Sequence, residues 1–350
     1  MVRKKNVRKK NSSGRTMLWI LLGLAVCIII IMVSIYPAVM TGAPRTAYIR
    51  IPAGATEKNV ADSLEKYFGH DFASTTMKLI GLRHTDFTKR HGAYEITEGS
   101  NPLSAMRKLT SGAQTPIRIT VNGFRSLDLL TSRISAKMDF TADSLRAVVS
   151  DPDVLRDYGL TPENALALFA DDSYDFFWNA SPEKVVRKIG DNYLKIWNAE
   201  RTRKAALLGL TPAQVTTLAS IVDEETNNAA EKGTVGRLYI NRLNKGMRLQ
   251  ADPTVRFAVG DFTIRRVTGK YLGVKSPYNT YRHAGLPPGP IRTTSAATID
   301  AILDSKPNDY IYMCAKEDFS GSHNFSVTFE EHQRNAARYQ SALDRRGIQK

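Results

Sequence analysis

The sequence predicts an α+β protein in three parts: a single N-terminal transmembrane helix, a small α/β domain and a larger α+β domain. Three observations predict this organisation. An uncharged apolar segment fills residues 17–40. Short strand and helix patterns alternate from residue 46 onward, without a fixed-period repeat. The chain has 350 residues, 42% of them hydrophobic, which is enough for about two domains with their own cores.

The first 16 residues form a basic tail. They contain seven lysines and arginines and no acid, and so supply much of the net charge of +15. A basic surface can attract nucleic acid, anionic lipid or an anionic wall polymer. The sequence contains no nucleic-acid-binding motif, so we expect no nucleic-acid partner. We interpret residues 1–16 as a cytoplasmic topology signal.

Residues 17–40 are predicted to span a membrane. As a helix, these 24 residues would reach roughly 36 Å, whereas the hydrocarbon core of a bilayer is about 30 Å thick. Basic residues are concentrated before the segment, so the positive-inside rule leaves the N-terminus in the cytoplasm and the following domains outside. The alternative is a signal peptide that is cleaved near Thr41-Gly42-Ala43.

Residues 46–116 are predicted to form the small α/β domain. A strand, Thr46–Ile51, leads into a helix near Thr56–Phe68, for which Thr56 is a suitable N-cap. A second strand is predicted at Gly92–Ile96, and further helices at Ala73–Leu82 and Pro102–Ser111. This domain has no cluster of acids, histidines or cysteines with catalytic spacing. Two readings remain open: a recognition or positioning domain, and a spacer.

Residues 117–346 are predicted to form the larger α+β domain, which opens with a strand at Ile117–Val121. Its most informative helix begins at Thr211-Pro212, in the usual arrangement of a cap followed by proline. That helix leads to the acid Glu225.

Helical periodicity places Glu225 on the apolar face of this helix. At 100° per residue, three apolar side chains lie within about 60° of its direction. They are Leu218, Ile221 and Val222. Asp223 points roughly 160° away and Glu224 about 100° away. We therefore expect only Glu225, of the three consecutive acids, to be directed at the interior or a cleft.

Apolar surroundings make Glu225 a candidate general acid. Burial disfavours the ionised carboxylate and raises its pKa toward the range in which the group can donate a proton near neutral pH. The alternative is structural, because buried acids are usually paired. In that case Glu225 forms an ion pair with Arg237 or Arg242.

Six motifs follow one another from this helix onward. They are LASIVDEET (Leu218–Thr226), INRLNKGMRLQADPTV (Ile240–Val255), SPYNTY (Ser276–Tyr281), GLPPGPI (Gly285–Ile291), GSHNF (Gly321–Phe325) and TFEEH (Thr328–His332). In these motifs the sequence resembles the endolytic murein transglycosylase family, the MltG or YceG-like proteins. Many relatives have E-K-E-T where this chain has D-E-E-T. Asp223 thus replaces the first glutamate of that motif, whereas Glu225 matches the second. This comparison favours Glu225 over Asp223 as the family's catalytic glutamate.

The resemblance implies a bacterial cytoplasmic-membrane helix, a LysM-like domain over residues 46–116 and a YceG-like catalytic domain over 117–346 on the outer side. It implies cleavage between N-acetylmuramic acid (MurNAc) and N-acetylglucosamine (GlcNAc) inside peptidoglycan glycan strands, leaving 1,6-anhydro-MurNAc ends and limiting strand length during wall synthesis. The partners it implies are the glycan strands, the inner membrane, peptidoglycan synthases and the elongation or division machinery.

One carboxylate is sufficient for that reaction. Glu225 would protonate the leaving glycosidic oxygen and then remove the proton of the muramic acid 6-hydroxyl, which closes onto C1. A hydrolase of the usual kind needs a second carboxylate, about 5 Å away for retention or about 6.5–9.5 Å away for inversion. Asp252 is the nearest candidate by motif membership. A lysozyme-like muramidase and a non-catalytic peptidoglycan-binding protein therefore stay open as alternatives.

Several residues are predicted to bind substrate. Gln250, Asp252 and Thr254 follow a helix end at Gly246 and could project into a cleft, although Asp252-Pro253 is also a common turn-starting pair.

Tyr278 and Asn279 offer an aromatic face and an amide, the combination that a sugar ring needs from a groove. The GSHNF motif makes His323 a further candidate. His323 and His332 are nine residues apart, which matches no metal-ligand spacing, so we expect no metal and no cofactor.

Overall fold

The computed structural model describes residues 12–264 and 267–347, and the chain divides within them into two compact units. The first contains the residues up to 116 together with 177–179. The second contains residues 117–176 and those from 180 onward. Each unit has its own hydrophobic core.

An N-terminal helix, α1, occupies Ser12–Met40. Within the described residues, no single helix is both long and apolar enough to cross a membrane; the apolar part of this one is the shorter stretch Thr16–Ile30. The bent pair Ala199–Leu207 and Pro212–Glu225 passes on length and composition alone. Residues 17–40, which were predicted to span a membrane, thus lie in an N-terminal helix, and the apolar stretch identified in it is shorter than the prediction.

The rest of the first unit is a small α/β arrangement. Its elements are β1 (Ala47–Ile51), α2 (Glu57–Phe68), α3 (His70–Gly81), the 3₁₀ helix Phe87–Lys89, β2 (Gly92–Ile96) and α4 (Pro102–Ser111). The two strands pair antiparallel, with Ile49 opposite Tyr94. Both side chains are fully buried in the core, with Leu64 of α2 and Phe72 of α3.

Local capping chemistry determines where these helices begin. The Thr56 hydroxyl accepts a hydrogen bond from the Asn59 amide, while the Asn59 side chain accepts one from the Thr56 amide. This reciprocal capping box satisfies two amides that the first helical turn leaves free. The Asn101 side chain caps α4 by accepting a hydrogen bond from the Ser104 amide, and Pro102 occupies the first position of the helix. The predicted cap at Thr56 and the bounds of α4 are confirmed.

The second unit contains most of the helices and two small antiparallel sheets. Its elements are β3 (Ile117–Val121), α5 (Leu127–Ser135), α6 (Ala142–Val149), α7 (Pro152–Arg156), the 3₁₀ helix Pro162–Leu168, β4 (Asp172–Phe176), α8 (Pro182–Ile196), α9 (Ala199–Leu207), α10 (Pro212–Glu225), α11 (Ala229–Asn244), α12 (Asp252–Val259), α13 (Gly269–Leu272), α14 (Ala296–Leu303), β5 (Tyr312–Ala315), β6 (His323–Ser326) and α15 (Phe329–Arg345). β3 pairs with β4, and β5 with β6. The predicted α+β class is confirmed.

Helix α10 lies at the centre of this unit. Every residue from Val215 to Val222 is buried, and α11, α12 and α14 pack around the helix. A helix that is apolar on nearly all sides is typical of a core position. The sequence places Thr211 and Gln214 at its start, where they form a capping box. The position of the last residues of α10, up to Glu225, is therefore fixed within the unit.

Two glycines on α11 allow α14 to approach closely. A Cβ atom at Gly233 would lie 2.6 Å from the carbonyl oxygen of Ala301, and one at Gly236 would lie 2.6 Å from Cγ1 of Ile302. The first contact is with backbone, which cannot rotate away. This packing fixes α11 relative to the core.

We expect Gly233→Ala to lower the free energy of unfolding by about 1–3 kcal/mol, because the added methyl group overpacks the α11–α14 contact. Urea denaturation of the full-length protein measures the change. Gly269→Ala is the matched control, since a Cβ there has nothing within 4 Å. Equal stability of the two variants would show that the close helix approach does not constrain the fold.

Candidate active site

Three consecutive carboxylates, Asp223, Glu224 and Glu225, end helix α10, whose last turn contains no basic residue. The helix dipole disfavours negative charge at a C-terminus. Their placement is therefore electrostatically unfavourable unless each carboxylate has a partner or gains a proton.

Asp223 and Glu224 have cationic partners. Lys232 Nζ lies 2.6 Å from Asp223 Oδ1, and the hydroxyls of Thr294 and Thr298 also donate to this carboxylate. Arg125 and Arg292 donate to Glu224 at 2.8 and 3.2 Å. The side chains of Asp223 and Glu224 are only 7% and 12% exposed. The expectation that Glu225 alone points inward is thus wrong, because distant segments cover all sides of the helix end.

Glu225 has a neutral partner instead. The Tyr239 hydroxyl, on α11, donates to Glu225 Oε1 at 2.7 Å. The alternative in which Glu225 is paired with Arg237 or Arg242 is not what the structure contains. Arg237 donates to Ser305, and Arg242 donates to the carbonyl oxygens of Ile311 and Leu249.

Glu225 lines a polar cavity of about 220 Å³. The other residues around this active-site cavity are Leu238, Tyr239, Arg242, Leu249, Gln250, Asp252, Tyr281 and Met313. Burial raises the pKa of Glu225 above its ordinary value, and the negative charge of Asp252 acts in the same direction. The Tyr239 hydrogen bond and the charges of His323 and Arg256 oppose this rise without cancelling it. A carboxyl with a raised pKa can hold a proton and donate it to a bound molecule.

Asp252 supplies a second carboxylate to the same cavity. It is the first residue of α12, so the Asp252-Pro253 pair starts a helix rather than a turn. The Tyr281 hydroxyl donates to Asp252 Oδ1 at 2.6 Å. Burial raises the pKa of Tyr281 well above its usual value, so this hydroxyl keeps its proton and remains a donor. Each of the two carboxylates is therefore held by one tyrosine.

Gln250 joins Asp252 at the cavity. Its backbone has φ of 49°, a left-handed conformation that is uncommon for residues other than glycine. Its amide donates to the carbonyl of Thr280, and the next amide, of Ala251, donates to the Thr280 hydroxyl. These bonds join the segment before α12 to the loop that carries Tyr281.

Thr254 and Asn279 are not brought to the cavity. Both are completely buried. The Thr254 hydroxyl bonds to Ala251 and Thr280, and the Asn279 amide donates to the carbonyls of Leu272 and Val274. Direct contact with a substrate, as expected from the sequence, is not available to these two side chains because the protein itself uses their polar atoms.

Tyr278 and His323 also lie outside the cavity lining. The Tyr278 ring packs on Phe257 with 4.6 Å between ring centroids, and its hydroxyl reaches the carbonyl of Glu163. His323, on β6, is held by Glu231, whose carboxylate accepts from its amide at 2.9 Å and lies 3.0 Å from Nδ1. His323 is close enough to influence the pKa of Glu225.

Sequence reasoning missed Tyr239 as a cavity residue, and it named Arg242 only as a possible ion-pair partner of Glu225. Tyr281 belongs to the SPYNTY motif, so a signal for it was present. Tyr239 lies 14 positions after Glu225 on another helix, and no local pattern relates the two. Over residues 12–264 and 267–347, no three histidine, cysteine or acidic side chains are grouped as they would be around a metal ion.

We expect Tyr239→Phe to raise the pKa of Glu225 further, because the substitution removes a hydrogen bond that stabilises the ionised form. Carbon-13 NMR titration of the glutamate carboxyls, with the Glu225 signal assigned from Glu225→Gln, measures this shift. Tyr94→Phe is the control, since it removes a tyrosine hydroxyl in the first unit. An unchanged or lower pKa in Tyr239→Phe would contradict the role of this bond.

Known proteins with similar sequences and structures were compared with this chain. An endolytic murein transglycosylase of Bacillus subtilis is 26% identical over 316 residues, which cover 85% of this chain and 86% of that protein. An endolytic murein transglycosylase of Streptococcus pneumoniae is 28% identical over 134 residues, covering 37% of this chain and 24% of that protein.

The crystal structure of a putative YceG-like protein from Listeria monocytogenes superposes with a TM-score of 0.56 at 25% identity. The match covers 83% of this chain and 98% of that one. The sequence model of the YceG-like family matches residues 49–338. Since this match spans most of the chain and includes the whole cavity lining, the protein belongs to the YceG-like family.

Proposed function

We propose that this protein is an endolytic lytic transglycosylase, a lyase that cleaves the MurNAc–GlcNAc bond within peptidoglycan strands and leaves 1,6-anhydro-MurNAc ends. The observation that carries the proposal is Glu225, a desolvated carboxyl with a raised pKa in a polar cavity. Family membership and the relatives named endolytic murein transglycosylases support the same activity. Cleavage inside strands would limit strand length during wall synthesis.

Glu225 acts twice in this mechanism. Protonated Glu225 gives its proton to the glycosidic oxygen as the C1–O bond breaks, and GlcNAc leaves with a free hydroxyl. The resulting carboxylate removes the proton of the muramic acid 6-hydroxyl, whose oxygen forms a bond to C1. Glu225 is then protonated again, so the cycle consumes no water. The Tyr239 bond to Oε1 leaves Oε2 available for these transfers.

Asp252 suits the charge that develops between the two steps. The transition state at C1 resembles an oxocarbenium ion, and a carboxylate in the same cavity stabilises positive charge. The same observation favours the second candidate, a lysozyme-like muramidase, in which Asp252 serves as the second carboxylate. The products distinguish the two, because hydrolysis leaves a reducing MurNAc end.

The substrate-binding residues form two groups in this proposal. Gln250 and Asp252 contact the strand directly, because they line the cavity. Thr254, Tyr278 and Asn279 act through the loop that carries Tyr281. His323, on β6, acts through its effect on the pKa of Glu225. Alanine substitution of Gln250 should raise KM. A normal KM for strand cleavage in that variant would remove Gln250 from the binding group.

We also propose that α1 anchors the protein in the bacterial cytoplasmic membrane, with the tail of residues 1–16 inside and the catalytic unit outside. Large apolar side chains such as Leu18, Trp19 and Ile20 are more than half exposed on this helix. Such a surface is unfavourable in water. On the outer side, the site would face the peptidoglycan synthases and the elongation or division machinery, and co-purification with them tests that partnership.

We expect the full-length protein to remain in the membrane fraction after alkaline carbonate extraction, which removes peripheral proteins. Protease added to spheroplasts should digest the region after residue 46. Release of intact protein by carbonate would contradict the anchor, and a protected catalytic unit would contradict its orientation.

The two units correspond to two proposed domains. Residues 46–116 would form the LysM-like domain, and residues 117–346 the YceG-like catalytic domain. The separate cores and the change of unit after residue 116 support this assignment. An experimental structure in which the strands and helices of residues 46–116 shared one core with α10 would contradict it.

We expect Glu225→Gln to lower kcat for strand cleavage by at least about a hundredfold, because general acid–base catalysis is lost. Mass spectrometry of purified glycan strands treated with the full-length protein detects anhydro-MurNAc ends. Glu163→Gln, at an exposed position, is the matched control and should keep full activity. Retained cleavage in a folded Glu225→Gln protein would refute the mechanism. Strand binding without cleavage by the unsubstituted protein would favour a non-catalytic peptidoglycan-binding protein.

A further inference from the structure

A second cavity, of about 670 Å³, adjoins the candidate active site, and its lining is basic. Four residues supply its positive or titratable groups: Arg248, Lys275, Arg282 and His283. Ser276, Pro277 and Tyr281 complete the lining. No acidic side chain takes part. We call this space the basic cavity.

Among the described residues, the cations of the basic cavity have no anionic partner. Within residues 12–264 and 267–347, no ion pair involves Arg248, Lys275 or Arg282, and all three are exposed. Arg125 and Arg292, by contrast, share Glu224. Grouping three like charges is unfavourable unless an anion joins them. Guanidinium groups are well suited to a planar carboxylate or a phosphate.

The basic cavity shares a wall with the active-site cavity. Tyr281 lines both, and its hydroxyl holds Asp252. The bonds of Gln250 and Ala251 to Thr280 fix this wall. Residues 248–252 and 276–283 therefore present one side to the bond-cleaving groups and the other to the basic cavity. A polymer that runs from the first cavity past Tyr281 would bring its neighbouring substituents to the second.

We propose that the basic cavity binds the carboxylates of the stem peptides carried by the glycan strand. This inference rests on the proposed function, which makes the strand the substrate. A diphosphate at a strand end offers similar anionic oxygens. It is present only at an end, whereas stem peptides branch from muramic acid residues along the strand. Endolytic cleavage takes place in the interior, so stem carboxylates are the anions that each cleavage event brings near Tyr281.

Binding of fluorescent glycan strands to full-length protein carrying Glu225→Gln, measured by anisotropy in detergent, tests the proposal without turnover. Stem-bearing strands are compared with the same strands after their carboxylates have been converted to neutral methylamides. We expect about fivefold tighter binding of the unmodified strands, the effect of two partly exposed charge pairs. Adding Arg248→Gln and Arg282→Gln should abolish this preference.

Lys195→Gln with Arg203→Gln is the matched control. It also removes two exposed cations of the second unit, neither of which lines the basic cavity, so the preference should persist. An equal loss in the control pair would show general charge attraction and overturn the proposal. So would an equal loss of affinity for unmodified and neutralised strands in the Arg248/Arg282 variant.

Strands that end in a diphosphate provide the second arm. If they bind more tightly than stem-matched strands without it, and Arg248→Gln with Arg282→Gln removes that advantage, the cavity binds the strand end and stem recognition is wrong. Binding does not depend on cleavage. The expected preference together with inactive unsubstituted protein would therefore keep the anion site and refute the lyase function.

Discussion

The burial of α10 is the constraint on which the second unit depends. Its interior residues are completely enclosed, yet the helix ends in three consecutive carboxylates at the negative end of its dipole. Two of them form ion pairs: Asp223 pairs with Lys232, and Glu224 pairs with Arg125 and Arg292. Among the described residues, no cation pairs directly with Glu225, which is held by Tyr239. Helix α11 and the segments that carry Arg125 and Arg292 bring these cations to one helix end.

Leaving Glu225 with a tyrosine has a chemical consequence. A cation in direct contact would keep the carboxylate ionised and remove it from acid catalysis near neutral pH. A neutral hydroxyl fixes the position of the side chain but opposes the effect of burial only in part, so its pKa stays raised. The nearby negative charge of Asp252 raises the pKa of Glu225 as well. Tyr239 therefore fixes the position of the carboxyl, while burial and Asp252 outweigh its effect on the pKa of Glu225.

Sequence reasoning succeeded where the determining chemistry is local. The caps at Thr56 and Thr211, the proline at the start of α4 and the position of Glu225 on α10 each depend on residues within one or two helical turns. It failed where distant segments decide. Arg125 and Arg292 lie 99 and 68 positions from Glu224. Helical periodicity gives the direction of a side chain but not which segment covers it.

The loop residues show a second limit. Aromatic and amide groups are what a sugar-binding groove needs, and they are also what a tight loop needs to satisfy its own backbone. Asn279 stabilises the loop, because its side-chain amide donates hydrogen bonds to the carbonyl oxygens of Leu272 and Val274. The SPYNTY motif thus contributes to the site mainly by fixing Tyr281.

Because Tyr281 separates the two cavities, its placement couples them. A shift of this wall would alter the hydrogen bond to Asp252 and the shape of the basic cavity together. Recognition of a charged substituent and the electrostatics around Glu225 consequently depend on the same short loop. In an enzyme that cuts within a repetitive polymer, such a link would favour catalysis when the neighbouring repeat is also bound.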